Sequence, residues 1–263
     1  MRAHACLLVL PLLGFVPSKA QTVAIDTISA VQPWAPNEAY SFPHLRMPEQ
    51  PDIAARIHHD LCTDFLQVDP DSAGNDIFEM VWGDAVSGGM PRLNSLTWSF
   101  TRPLPQLLGF EFSAEGCGAY CEGFTTHYVY DLRNGDRLVY DSLFTAAGLI
   151  AVNDTLDRAW RRVVSDRIQM LDDERLSSDL APEDAERINS KIELYRVCFD
   201  ERPVGEPYVA DMEPLSNGMR VFIARCSAHA NRELDELDAV ELFLPYSWLV
   251  PYLRPDVRVV FGL

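Results

Sequence analysis

Lysine is almost missing from this chain: Lys19 and Lys191 are the only two, and arginine carries the rest of 22 basic side chains against 39 acidic ones. A formal charge of −17 excludes a favourable approach to nucleic acid or anionic lipid headgroups. Over a Debye length of about 8–10 Å it attracts basic partners instead. A long hydrophobic run is missing too. The apolar stretch from Ala5 to Val16 is short and broken by Pro11, which excludes a spanning helix there. No internal repeat, low-complexity tract or coiled-coil pattern occurs. A Gly-x-Ser-x-Gly elbow, a His-Glu-x-x-His helix, a phosphate loop and a dinucleotide fingerprint are all absent, so no motif asks for a cofactor or a metal.

What is present begins with Met1-Arg2, the apolar stretch, and Ser18-Lys19-Ala20 before Gln21. That order of charge, short apolar run and small-residue cleavage site predicts a secretory signal peptide over residues 1–20 and a periplasmic or secreted protein. No cysteine stands at the cleavage site, which argues against lipidation there. Cleavage removes Arg2 and Lys19 and no acid, taking the charge from −17 to −19.

The mature chain keeps Cys62, Cys117, Cys121, Cys198 and Cys226. In an oxidising compartment an odd set predicts two bridges and one leftover thiol. Cys117 and Cys121 are close enough to tie off a local loop. A Cys198–Cys226 bridge would join the end of a helical pattern to the end of a strand pattern, and Cys62 would be buried or intermolecular. Zinc is the rival reading, because Cys117-x3-Cys121 and Cys226-x2-His229 have ligand-like spacing.

Five prolines between Pro33 and Pro51 predict an extended lead-in over 21–51 that could add an edge strand. No linker divides the rest, so 52–263 reads as one composite domain. Ile53, Ile57, Leu61 and Phe65 recur every four residues and predict a helix to about Leu66. His58 and His59 on it lack a second ligand at i+4 and read as solvated or capped. Asp69–Asp76 is oxygen-rich but lacks the closing glutamate of a calcium loop, and reads as a turn. Two helices are expected at 145–175 and 183–202. The first has Leu149, Val152, Leu156, Trp160 and Val164 on its buried side, with Arg158, Arg161, Arg162 and Arg167 on a solvated one. Strands follow at Met219–Arg225 and Val240–Leu244, joined by the polar connection Ser227–Asp238.

The most informative stretch is Glu115–Phe144, EGCGAYCEGFTTHYVYDLRNGDRLVYDSLF. Glycines 116, 118 and 123 bracket two cysteines, and alternation around Thr126, Tyr128 and Tyr130 reads as a strand. Asn134-Gly135 then fits both central positions of a tight turn pairing Thr125–Leu132 with Arg137–Tyr140. With Asn94–Arg102 and Leu107–Ala114, this predicts an α+β fold: an antiparallel sheet of four consecutive strands around a central hairpin, packed by two or three helices.

The order of glycine loop, tyrosine-rich strand, Asp-Leu-x-x-Gly turn and Asp-x-Leu-Phe resembles the extracytoplasmic domain of RsiV-type anti-sigma factors. It is also similar to a non-catalytic domain that accompanies peptidoglycan deacetylases. Gly218–Ile223 and Val240–Tyr246 extend the resemblance over roughly 90–253. Where that family reads Gly-Gly-Ala-His, this chain has Cys117-Gly118-Ala119-Tyr120. The resemblance implies a binding module whose partners are a basic wall-active protein such as lysozyme, or peptidoglycan fragments. It supplies no catalytic residue, and no anti-sigma signalling segment is expected here. The candidate binding loop is Gly116, Gly118, Tyr120, Gly123 and His127. Two other readings are a cell-envelope hydrolase and a structural envelope protein dimerised through Cys62. For the hydrolase, Glu111 and Glu115 are paired carboxylates, and a cysteine beside His127 or His229 is a thiol nucleophile.

Overall fold

The computed structural model describes residues 22–31, 39–72, 77–82, 93–117, 121–177 and 180–263; the expected leader lies outside them. From the N-terminus, β1 (Ala24–Val31) and β2 (Ala39–Arg46) precede α1 (Pro51–Asp60) and α2 (Ile77–Trp82). Next come β3 (Leu93–Thr101), β4 (Leu107–Cys117), β5 (Cys121–Asp131) and β6 (Asp136–Arg137). The second half holds α3 (Ala146–Arg175), α4 (Pro182–Glu201), β7 (Val209–Pro214), β8 (Gly218–Ile223), β9 (Val240–Pro245), α5 (Tyr246–Leu249) and α6 (Pro255–Phe261).

The class is α+β, as expected, but the strands form two sheets: six strands in the order β1 to β6, and three in the order β7-β8-β9. β3 to β6 pair antiparallel in sequence, as the alternation predicted. β2 and β3 run parallel through the Tyr40–Leu96 pair, so the larger sheet is mixed.

The proline-rich lead-in is more than an edge. β2 pairs with β1 along its length and buries Tyr40 and Phe42 completely. Pro43 is taken up inside β2, opposite Thr27 of β1, Pro48 follows β2, and Pro51 opens α1, where its missing N–H has no intrahelical partner to lose. One face of the larger sheet packs on α1 through Phe42, Leu96, Phe110, Phe112 and Tyr130. Phe112 stacks on Phe42 and on Phe65, with ring centroids 5.6 and 4.4 Å away. Each such buried ring contributes about 2–3 kcal/mol by area alone. Two hydroxyls fix the helix on the sheet: Tyr128 donates to Asp64 and Tyr130 to Asp60, both at 2.7 Å.

The β5–β6 connection is a four-residue turn over 132–135, not the two-residue turn that Asn-Gly predicted. Gly135 alone takes a positive φ, +76°, and its N–H donates to the Asp131 carbonyl at 2.8 Å. The reason is tertiary. The turn lies against α1, with the space at Gly135 closed by Ile53 and with Arg56 donating to the Asn134 carbonyl.

The second core lies between the smaller sheet and α3 to α6. Thr145 caps α3 by accepting from the Gly148 N–H at 3.0 Å. Val152, Leu156, Trp160, Val164 and Leu171 form its buried stripe, against Ile188, Ile192 and Tyr195 of α4. Two expected surface arginines are structural instead. Arg161 binds Asp157 and donates to the Phe199 and Arg202 carbonyls, which the end of α4 would otherwise leave unpaired. Arg167 pairs with Glu236. The Arg202 guanidinium lies 3.9 Å from the Trp160 ring centre and donates to the Pro207 and Ala224 carbonyls.

Cys198 and Cys226 form a disulfide that pins α4 to the chain leaving β8, as the spacing of helix and strand patterns foresaw. It also removes Cys226 from any zinc set. Cys62 is a fully buried free thiol. Burial pushes its pKa up to about 12, so it is neither an available cross-link between copies nor a nucleophile. The His58 Nε2 lies 3.6 Å from the Cys62 sulfur, so the histidine read as solvated has an i+4 neighbour after all. Its pKa is lowered by burial and by His44. Among the described residues no helix is long and apolar enough to cross a membrane.

Candidate functional site

Strand alternation leaves the second face of the larger sheet polar, and register lines its side chains into rungs. Ser95, Glu115 and Gly123 form one, Thr97, Ser113 and Thr125 the next, and Ser99, Glu111 and His127 the third. Further along the same face Leu107 and Val129 are apolar and belong to the second core. The sheet is therefore gripped at one end and free at the other.

The smaller sheet presents its own outward face nearby. Asp211 of β7 stands opposite Phe222 of β8, which stands opposite Glu241 of β9. The two faces enclose a groove of about 940 Å3, lined from the larger sheet by Ser95, Thr97, Glu111, Ser113, Glu115, Thr125 and His127. From the other side come Asp211, Arg220, Phe222, Arg225 and Asp238. A smaller depression of about 280 Å3 on the far side of β5 holds Asp64 and Arg137, which pair with each other.

His127 stands where the two walls meet. Its backbone N–H and its Nδ1 both donate to Asp211 Oδ2, the latter at 2.9 Å. Its ring stacks on Phe222 with centroids 4.7 Å apart and planes 11° from parallel. Its Nε2 lies 3.4 Å from Glu111 Oε2. The imidazole is 8% exposed, whereas the Glu111 carboxylate is 45% exposed. Burial works to lower the His127 pKa, but the bond to Asp211 and the charges of Asp211, Glu213 and Glu111 outweigh it, and the net shift is upward.

The arginines of the groove are already neutralised. Arg220 pairs with Glu241 at 3.1 Å and Glu213 at 3.5 Å. Arg225 makes a two-point pair with Glu122, which Arg232 also contacts at 3.2 Å. Among the described residues Glu111 and Glu115 have no arginine or lysine partner: Glu111 pairs with His127, and Glu115 accepts from Asn94 Nδ2 at 3.1 Å. The free charge of the groove is therefore negative.

One rim is the connection after β8, whose order comes from buried Asp235. That carboxylate accepts from the Ser227 N–H at 2.8 Å, the Tyr195 hydroxyl at 3.1 Å and the Leu237 N–H at 3.2 Å. Lys191 and Arg167 hold the neighbouring Glu236.

Of the expected binding loop, Gly123 and His127 line this site. Gly116 and Gly123 are ladder residues, paired with Glu122 and Glu115. Gly118 and Tyr120 lie outside the described residues, as does the side chain of Cys117. The backbone register sets Cys117 directly opposite Cys121, the placement a local bridge requires. His127 has carboxylate neighbours and no cysteine. Glu111 and Glu115 share a strand face, but four residues of extended chain separate them by about 13 Å.

Asp211, Arg220 and Phe222 are not foreseen by the sequence reading. Asp211 lies in β7, a strand whose pattern, VADMEP, ends in proline and carries two acids. The hydroxyl rungs did leave a signal, since Ser95, Thr97, Ser113 and Thr125 all occupy alternate positions of strands that were recognised.

Fold and groove together define an α+β module with an open, acidic inter-sheet cleft. No protein-family model and no curated protein matches the sequence. The fold is similar to the crystal structure of a DUF3298 family protein from Pseudomonas aeruginosa PAO1, with a TM-score of 0.51 and 14% identity, over 90% of this chain and 96% of that one. It is also similar to a member of the same family from Bacteroides fragilis NCTC 9343, with a TM-score of 0.54 and 13% identity, over 92% and 98%. At such identities the likeness is one of fold alone, to a family named as a domain of unknown function.

Proposed function

We propose that this protein is an exported, non-catalytic binding module and that the inter-sheet groove receives a segment of a basic, wall-active protein. The observation that carries the reading is the charge arrangement of the groove. Its arginines are tied in ion pairs, while among the described residues Glu111 has only the His127 imidazole as a cationic partner and Glu115 has none. The rungs of serine and threonine between them offer both donors and acceptors to a polar chain. A net charge of −19 after removal of the leader draws such a partner in and speeds encounter. The resemblance to RsiV-type domains supports lysozyme as the first protein to try, and the leader-like N-terminus supports export.

Peptidoglycan fragments are the second ligand class, favoured by the hydroxyl rungs and by Phe222 in the groove wall. The experiment is retention of the mature protein on immobilised lysozyme at about 20 mM and about 500 mM salt. Retention at low salt that is lost at high salt is the expected result. Absence of retention at low salt removes the lysozyme reading, and soluble peptidoglycan fragments added as competitor separate the two ligand classes.

A further inference from the structure

The groove has one feature that plain acidity does not account for: a histidine lies between an exposed carboxylate of the larger sheet and the opposite sheet. His127 is anchored on one side only. Asp211 accepts from its backbone and from Nδ1, and Phe222 stacks on its ring, so the imidazole is fixed in place whatever its charge. Glu111, directly opposite on β4, is free to turn because nearly half its side chain is exposed. With His127 charged, the imidazolium pairs with Glu111 at Nε2 and the carboxylate is occupied. With His127 neutral and Nδ1–H still donated to Asp211, the Nε2 lone pair faces Glu111, and the attraction becomes a repulsion.

We propose that Glu111 is a proton-gated acceptor for an ammonium or guanidinium group: the His127 imidazolium holds it closed, and loss of that proton releases it to a cationic ligand. This rests on the reading of the groove as a binding site for a basic partner. The charged groups around His127 are consistent with a gate acting on Glu111. β7 supplies Asp211, which is committed to Nδ1, and Glu213, which pairs with Arg220 of β8. Asp64 and Arg137, on the far side of β5, pair with each other, and Asp141 stands at the same depression. Glu111 is left as the carboxylate that both meets Nε2 and opens on the groove. An incoming cation beside Ser113 and Thr125, on the adjacent rung, finds hydroxyl acceptors next to the released carboxylate.

Linkage makes the gate reciprocal: a cation that competes with His127 for Glu111 must lower the His127 titration midpoint by the factor by which protonation weakens binding. The test uses the mature protein and pentalysine as probe, with side-chain-acetylated pentalysine as the uncharged control. Affinity is measured from about pH 5.5 to about pH 8.5, and the His127 imidazole is followed by NMR with and without probe. Wild type is expected to bind about tenfold more tightly at the upper end, the equivalent of one unit in a titration midpoint. His127→Gln should bind at one affinity throughout, and saturating probe should lower the wild-type midpoint. Glu111→Gln should lower that midpoint without probe, a readout that needs no ligand. The proposal is overturned if His127→Gln keeps the wild-type pH dependence, or if Glu111→Gln leaves the midpoint unchanged. Failure of pentalysine with lysozyme retained defeats the gate alone, whereas failure of both defeats the underlying reading of the groove.

Discussion

His127 of β5 and Asp211 of β7 join the two sheets through two hydrogen bonds to a single carboxylate oxygen. The pair closes the inner end of the groove, and its strength depends on the charge of the imidazole. The folded-state pKa of His127 is raised above its ordinary 6.5. Its stabilising contribution is therefore complete below the unfolded value and is lost as pH rises through the folded one. The stability gap between wild type and His127→Gln, measured by urea unfolding, should be larger at about pH 5.5 than at about pH 8.5. Equal gaps would show that the imidazolium gains nothing from Asp211 and Glu111.

Asp235 organises the rim. Asp235→Ala strands the Ser227 amide and the Tyr195 hydroxyl proton and removes one of the two acceptors of the Leu237 amide, and should cost about 3 kcal/mol. Hydrogen exchange at Ser227 and Leu237 should accelerate well before global unfolding. Uniform acceleration across the chain would assign Asp235 to the core rather than to the rim.

Cysteine chemistry gives a third expectation. Under native conditions no thiol should react with a water-soluble disulfide reagent, because Cys62 is buried and its thiol is held protonated. Unfolding without reductant should release one thiol if Cys117 and Cys121 are bridged as proposed. Replacing Cys198 and Cys226 by alanine, which opens a 28-residue separation, should cost about 3–4 kcal/mol. A native-state reaction of Cys62 would contradict its placement.

The start of α3 tolerates no side chain at Gly148. A Cβ there would lie 2.9 Å from the Tyr252 carbonyl carbon and 2.8 Å from the capping Thr145 hydroxyl. Gly148→Ala should destabilise the protein by about 3 kcal/mol, read from the urea midpoint. A neutral effect would mean that the junction of α3 with the chain after α5 is loose.

The extent to which the chain announces this arrangement differs from element to element. Alternation in 94–102, 107–114 and 125–132 is strong because those strands bury one face only along the part that floors the groove, so the sheet and its polar rungs are readable. β7 is not, since its short, acid-bearing pattern makes sense only once Asp211 has met His127 and Glu213 has met Arg220. Arg161 and Arg167 mislead for the same reason: guanidinium groups that cap α4 carbonyls or hold Glu236 look like surface charge until the helices are packed. Asn134-Gly135 announces a turn correctly but not its length, because contact with Ile53 and Arg56 of α1 selects the longer form.

The central claim is that the groove between the sheets, and not the general acidity of the surface, holds a basic partner. Affinity of the mature protein for lysozyme at about 20 mM salt, compared between wild type and Glu111→Gln/Glu115→Gln, measures this directly. The account predicts a loss of about tenfold or more, against a change of less than about twofold when Glu183 and Asp184, two exposed acids at the start of α4 that do not line the groove, are neutralised instead. Equal losses for the two double variants would contradict it.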